Sequence, residues 1–188
     1  RVERRQRQMC IRDRCSNMTM ASFPNTLKRI GKRAFFQFSD GGLTTLQIPS
    51  SVDTIGDEAF ANQSMVTVTL PETLTTLGTY LFQSADALQS VRVECAEIPA
   101  FCFVRCKKLN QMTISKNVKK IGANSVNYCT LLDTITYEGS LEEWKAIEKY
   151  ANWDGNSSTS PGYLNNIVCV DGTMAYDRDN KTWNEVKS

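Results

Sequence analysis

Apolar positions along this chain recur in one fixed phrase: an apolar residue, two polar ones, an apolar, a polar and a final apolar. It reads Met18-x-x-Ala21-x-Phe23, Leu43-x-x-Leu46-x-Ile48, Met65-x-x-Val68-x-Leu70, Leu88-x-x-Val91-x-Val93, Leu109-x-x-Met112-x-Ile114 and Leu132-x-x-Ile135-x-Tyr137. The alternation in the second half of each phrase predicts a short strand with one face inward. Successive copies start 21 to 25 residues apart. A period in that range predicts a solenoid, in which each unit buries its apolar face by stacking on the next.

A second element separates the strand phrases. It appears as Ile30-Gly31 with Ala34-Phe35, Ile55-Gly56 with Ala59-Phe60, Leu77-Gly78 with Leu81-Phe82, Ile98-Pro99 with Cys102-Phe103, and Ile121-Gly122 with Ser125-Val126. The large apolar residue always follows the glycine, or its substitute, by four positions. Glycine tolerates a left-handed or tightly bent backbone, so it is expected at the corner of a coil. The aromatic is expected to plug the coil interior and stack on its counterparts. Prolines 24, 49 and 71 directly follow a strand phrase and end its ladder. A small column precedes each phrase by three residues: Cys15, Asp40, Asn62, Ala85, Cys106 and Cys129.

Segments such as LTTLQIPSSVDTIGDEAFANQSMVTVTLPETL resemble the BspA-like leucine-rich repeats of bacterial cell-surface proteins. The run ITYEGSLEEWKAI, a following NW and then CVDGT are similar to the unit that often closes such arrays. The resemblance covers roughly residues 15 to 174. It departs at Pro99, at Val126 and in the shortened coil between Val93 and Ile98. It implies a leucine-rich repeat solenoid of short parallel β-strands with irregular or 3₁₀ connections, closed by a C-terminal α/β cap. It also implies a cell-surface or secreted location. The expected organisation is residues 1–14 outside the native array, non-native or disordered; 15–137 the solenoid, with five to six coils; 138–176 the cap; and 177–188 a polar tail.

In the cap, Ser140-Leu-Glu-Glu143 has the form of a capping box. Leu141, Trp144 and Ile147 then lie along one side of a short helix expected to lay Trp144 over the last coil. Residues 154–162 read as a loop. Ile167 to Val170 reads as a strand, with Asp171-Gly172 turning it back toward Met174 to Tyr176.

Charge changes the picture only at the N-terminus. The first fourteen residues hold six Arg against Glu3 and Asp13, and removing their net +4 from the chain's +2 leaves −2. Nothing else supports a nucleic-acid partner. No run of 18 apolar residues predicts a membrane span. There are seven cysteines and no histidine. Cys15, Cys106 and Cys129 share the small column, where cysteine acts as a buried hydrophobe. Cys95, Cys102 and Cys106 lack zinc-site spacing. A disulfide between stacked coils, Cys106 with Cys129 or Cys95 with Cys102, is the alternative for a secreted protein.

No catalytic constellation is present. Histidine-dependent triads are excluded by composition, and no phosphate loop follows the repeated Ile-Gly. The carboxylate pairs Asp57-Glu58 and Glu142-Glu143 diverge as neighbours. The chain is therefore expected to be no enzyme and to need no metal or cofactor. Strand alternation instead turns one set of side chains outward: Thr45 and Gln47, Thr67 and Thr69, Ser90 and Arg92, Gln111 and Thr113, Thr134 and Thr136. This ribbon of hydroxyls and amides with one cation is the expected binding face for a protein or glycan. The competing reading is a spacer or scaffold repeat within a larger chain, with or without an enzyme domain.

Overall fold

The computed structural model describes residues 20–21, 23–36, 42–156 and 162–186. It is a solenoid in which most coils contribute two strands. The first set comprises β1 (Met20–Ala21), β3 (Thr45–Leu46), β5 (Thr67–Leu70), β7 (Ser90–Val93), β9 (Gln111–Ile114) and β11 (Thr134–Tyr137), all within the apolar phrases. The second set comprises β2 (Arg29–Ile30), β4 (Thr54–Ile55), β6 (Thr76–Leu77), β8 (Glu97–Ile98), β10 (Lys120–Ile121) and β12 (Glu148–Lys149). Strands β5, β7, β9 and β11 pair in parallel with no register slip: Val68 faces Val91, Val91 faces Met112, and Met112 faces Ile135. The alternation read from sequence holds, with Val68, Leu70, Val91, Val93, Met112, Ile114, Ile135 and Tyr137 buried.

The second set was read as corners and is instead a narrow parallel ladder, split into β2-β4-β6 and β8-β10-β12. The split falls in the short coil, where Val93 and Ile98 are five residues apart rather than the seven separating Leu70 from Leu77. No 3₁₀ turn occurs among the described residues; the connections are turns and bends.

Glycine plays a different part from the one expected. None of the repeat glycines has a positive φ; among described glycines only Gly42 and Gly155 do. What the repeat glycine allows is close approach. A Cβ on Gly56 would stand 2.5 Å from the backbone nitrogen of Lys32, one on Gly78 2.2 Å from that of Asp57, and one on Gly122 2.3 Å from that of Ala100. Side chains are excluded there because the preceding coil's backbone occupies the space.

The left-handed conformation belongs instead to two columns of ordinary residues. One holds Arg33, Glu58, Tyr80, Phe101, Asn124 and Asn152, the other Asn62, Ser84, Arg105 and Tyr128, all with φ between 53° and 63°. Such a conformation costs an L-residue roughly 1–2 kcal/mol. Two kinds of bond hold it. Amides of these residues donate to the next coil, as in Glu58 N–H to the Thr79 carbonyl (2.9 Å) and Ser84 N–H to the Val104 carbonyl (2.9 Å). Turns closed by Ala85 on Phe82, Cys106 on Phe103 and Cys129 on Val126 also place Ser84, Arg105 and Tyr128 third, where a type II turn needs positive φ. In the first column neighbouring coils present matched side chains. Arg33 grips Glu58 at 2.8 Å, and Tyr80 stacks on Phe101 with centroids 4.5 Å apart.

Inside, the aromatic plugs stack as expected. Centroid distances are 5.4 Å for Phe35–Phe60, 5.6 Å for Phe60–Phe82 and 5.5 Å for Phe82–Phe103, with rings within 10° of parallel. Val126 ends the aromatic run. In the small column Ala85, Cys106 and Cys129 are buried, and the two thiols donate to the carbonyls of Phe82 and Phe103 at 3.1 Å each. The five described cysteines are free, and neither of the alternative disulfides, Cys106 with Cys129 or Cys95 with Cys102, is formed. Burial explains their state: it pushes the Cys95 and Cys169 thiols up to about 11 and Cys129 up to about 12, and holds Cys102 and Cys106 well above their ordinary value. Cys10, Cys15 and Asp40 lie outside the described residues.

Beyond Tyr137 comes α1 (Leu141–Ala146), with both halves of the Ser140–Glu143 capping box formed. Trp144 is buried between Tyr137 (5.2 Å) and Trp153 (5.6 Å). Strand β13 (Asn166–Cys169) then pairs in parallel with β11, and β14 (Gly172–Asp177) and β15 (Thr182–Glu185) return antiparallel. The last strand lies within the segment expected as a polar tail: Thr182–Glu185 carries a single large apolar residue, Trp183, too little for a periodic signal. Trp183 packs on Trp153 (5.9 Å) and Tyr176 (5.3 Å) and donates its indole N–H to buried Asp154 (2.9 Å).

Candidate functional site

The outward ribbon is built from the strand register. Thr67, Ser90 and Gln111 form one row, and Thr69, Arg92, Thr113 and Thr136 a second. Thr45, Gln47, Thr67, Thr69, Gln111 and Thr136 are exposed; Ser90, Arg92, Thr113 and Thr134 are half-buried. Thr45 and Gln47 stand apart from the rest, because β3 pairs with β1 and has no strand pairing to β5.

The structure extends the ribbon beyond the ten residues read from sequence. Strand β13 continues the ladder, placing Asn166 beside Thr134 and Val168 beside Thr136. The antiparallel strands add Ala175 and Asn184 to the first row and Thr173 to the second. Seven hydrogen-bonded strands give a face about 29 Å across at the usual interstrand spacing. A signal for β13 was present in the sequence. Leu164-x-x-Ile167-x-Cys169 is a further copy of the apolar phrase, and all three residues are buried. It escapes the periodicity because α1 and its loop set it 32 residues after Leu132.

A third row lies one residue past the strand ends. Backbone pairing continues there, with Glu94 N–H donating to Leu70 and Glu138 N–H to Ile114. This row changes the ribbon's electrostatics. Arg92 donates through Nε to Glu94 (2.7 Å) and through Nη1 and Nη2 to the two oxygens of Glu138 (2.8 and 2.9 Å). The guanidinium thereby crosses the strand that carries Thr113 and joins the coils on either side of it. Its affinity for the proton is raised, chiefly by the Glu138 bonds, and Glu138 is held below the ordinary carboxylate range by the same contact. The cation expected to face a ligand is thus already enclosed by two carboxylates.

At the opposite edge Asp133 accepts from Asn165 (2.6 Å), Thr134 (2.9 Å) and Asn166 (3.3 Å), which hold its carboxyl low and fasten β13 to β11. Among the described residues no group of three or more Cys, Asp or Glu is placed to hold a metal, and no helix is long and apolar enough to cross a membrane.

Parallel strands in unbroken register, an interior aromatic stack and a repeat of 21 to 25 residues define a leucine-rich repeat solenoid. A family model described as BspA type leucine rich repeat region matches residues 10–93 and 36–154. The chain belongs to this family. The match begins ahead of Cys15, where the sequence reading starts the array. Among solved structures, a leucine rich cell surface protein from Faecalibacterium prausnitzii A2-165 is similar at a TM-score of 0.56 and 26% identity, over 76% of this chain and 36% of that one. A leucine-rich repeat protein from Eubacterium ventriosum ATCC 27560 shares the fold at a TM-score of 0.56 and 19% identity, over 78% and 40% of the two chains. This chain therefore spans well under half the length of either protein. No curated protein matches it.

Proposed function

We propose that this chain is a non-catalytic binding module of a cell-surface or secreted protein, and that the strand-face ribbon is where it meets its partner, a protein or a glycan. The observation that carries this reading is the register. It places the outward side chains of β5, β7, β9 and β11 in straight rows that consist of hydroxyls and amides apart from Arg92. Family membership and the Faecalibacterium cell-surface neighbour support the location. The thiols are buried and protonated, which leaves them poor nucleophiles.

A spacer role is the second reading, favoured by the lack of any aromatic among the ten ribbon residues, since tight interfaces concentrate on such anchors. A Thr69→Arg/Gln111→Arg variant separates the two. Its folding is checked by circular dichroism, and its binding is measured on glycan arrays and on intact host and bacterial cells. Loss of a wild-type signal supports the ribbon; a signal equal to wild type refutes it.

A further inference from the structure

The geometry around Arg92 points to the chemistry of the ribbon's partner, an inference that rests on the ribbon being the binding face. Polyanionic partners are recognised by arginines with free donors, because the planar guanidinium matches carboxylate, sulfate and phosphate two bonds at a time. Arg92 is the one cation among the ten ribbon residues, and three of its five N–H donors are taken, Nε by Glu94 and one on each Nη by Glu138, which occupies the end of the fork where a second anion would bind two bonds at a time. An approaching anion meets one positive and two negative charges within a single hydrogen-bonded cluster. It would have to displace a two-pronged carboxylate to gain a contact of the same kind.

What stays available on the ribbon is uncharged. Thr45 and Gln47 stand apart and Thr134 gives its proton to Asp133, which leaves the hydroxyls of Thr67, Thr69, Ser90, Thr113 and Thr136 and the amide of Gln111. These groups both donate and accept, and they recur at the fixed interval of the strands. Each is a weak contact, and no aromatic anchor of the kind that dominates protein interfaces is among them. Weak contacts at regular spacing become useful when the ligand is itself a repeating polymer, because each bound unit raises the effective concentration of the next. We infer that the ribbon takes an uncharged, hydroxyl-rich polysaccharide, and that Glu94 and Glu138 sequester Arg92 as a brace between coils so that polyanionic glycans are refused.

Affinity gel electrophoresis of the full chain tests this, using gels that contain dextran sulfate or one of the neutral polymers mannan, xyloglucan and mixed-linkage β-glucan. The arginine-rich first fourteen residues give every variant the same background on dextran sulfate. Against that background Arg92→Gln is expected to match wild type. Glu94→Gln/Glu138→Gln frees the guanidinium and is expected to bind dextran sulfate about tenfold more tightly. Adding Arg92→Gln to that pair is expected to return it to the wild-type value. Asp86→Asn/Asp179→Asn raises net charge equally at two turns outside the third row and should shift retention less than twofold. Retention on at least one neutral polymer, unchanged at 0.5 M salt as expected where no counterions are released and lost in Thr69→Arg/Gln111→Arg, completes the support. Weaker dextran sulfate binding by Arg92→Gln alone overturns the sequestration. Equal gains from the two double variants overturn it as well. Retention on none of the three neutral polymers overturns the neutral-glycan assignment, and it does so even if a protein ligand is captured by the ribbon.

Discussion

Replacing Phe82 by Ala tests whether the interior aromatic stack holds the array together. Phe82 is wholly buried and lies between two near-parallel rings, Phe60 at 5.6 Å and Phe103 at 5.5 Å. Removing the ring forfeits about 1.5–3 kcal/mol of side-chain burial. Each of two ring contacts adds roughly 0.5–1.5 kcal/mol. The total, about 2.5–6 kcal/mol, brackets the ~3–5 kcal/mol typical of Phe→Ala in a core. Tyr80 is the internal control. Its ring also stacks on one neighbour, Phe101 at 4.5 Å, but it is only half-buried on the outer face. Tyr80→Ala is expected to cost no more than about 1.5 kcal/mol. Stability of both variants is measured by urea denaturation followed by tryptophan fluorescence and circular dichroism. All three tryptophans lie beyond residue 140, so fluorescence reports the C-terminal coils while circular dichroism reports the whole. In a one-dimensional array a weakened interface uncouples its two sides. For Phe82→Ala the two signals should therefore separate, the coils before residue 82 melting first. If Phe82→Ala costs no more than Tyr80→Ala and both probes still coincide, the stack does not couple the coils.

Three other expectations follow from the same structure. Gly78→Ala forces a Cβ to within 2.2 Å of the Asp57 nitrogen and should destabilise by more than the ~1–3 kcal/mol of ordinary overpacking; a urea midpoint equal to wild type would show that the coils are not in contact there. Ser84→Gly removes the left-handed cost at φ 54° while losing only a hydroxymethyl group, so the melting temperature should rise, by an amount equivalent to about 0.5–1 kcal/mol. Stability should fall as pH rises above about 8.5, because unfolded thiols release protons there while the buried ones retain theirs. Lys149 acts with the opposite sign: burial brings its amine down to about 8, so between there and its unfolded value it adds stability as pH rises. One amine opposes five thiols, and the decline prevails. Cys129→Ala should flatten the fall in urea titrations run with reductant, and an unchanged slope would contradict the raised thiol.

The repeat was legible because its signal is spacing, and spacing survives substitution. The apolar phrase gave the inward faces of β5, β7, β9 and β11 residue by residue, and the aromatic four positions after glycine gave the stack. Other features depended on what no single repeat shows. Arg92 meets Glu138 only when two intervening strand pairings are in register, 46 residues apart in sequence. The left-handed columns were hidden because their occupants, Arg, Glu, Tyr and Phe among them, are not residues from which positive φ is read. The role of glycine was misassigned for the same reason: its local preference pointed to φ, whereas the constraint was the backbone of the coil before it. Strand β13 was seen as a strand but not as the next rung, since an inserted helix broke the period.

The matched side chains on the outer column make the order of the coils matter. Arg33 against Glu58 and Tyr80 against Phe101 are complementary only as neighbours. Excising the single repeat that carries Glu58 would leave an unpaired guanidinium beside Tyr80. Excising the two repeats from Glu58 through Tyr80 would set Arg33 against Phe101. Loss of whole repeats is constrained by these pairs: the repeat that carries Asn124 can go alone with both pairs intact, whereas losing one that carries Arg33, Glu58, Tyr80 or Phe101 removes half of a pair.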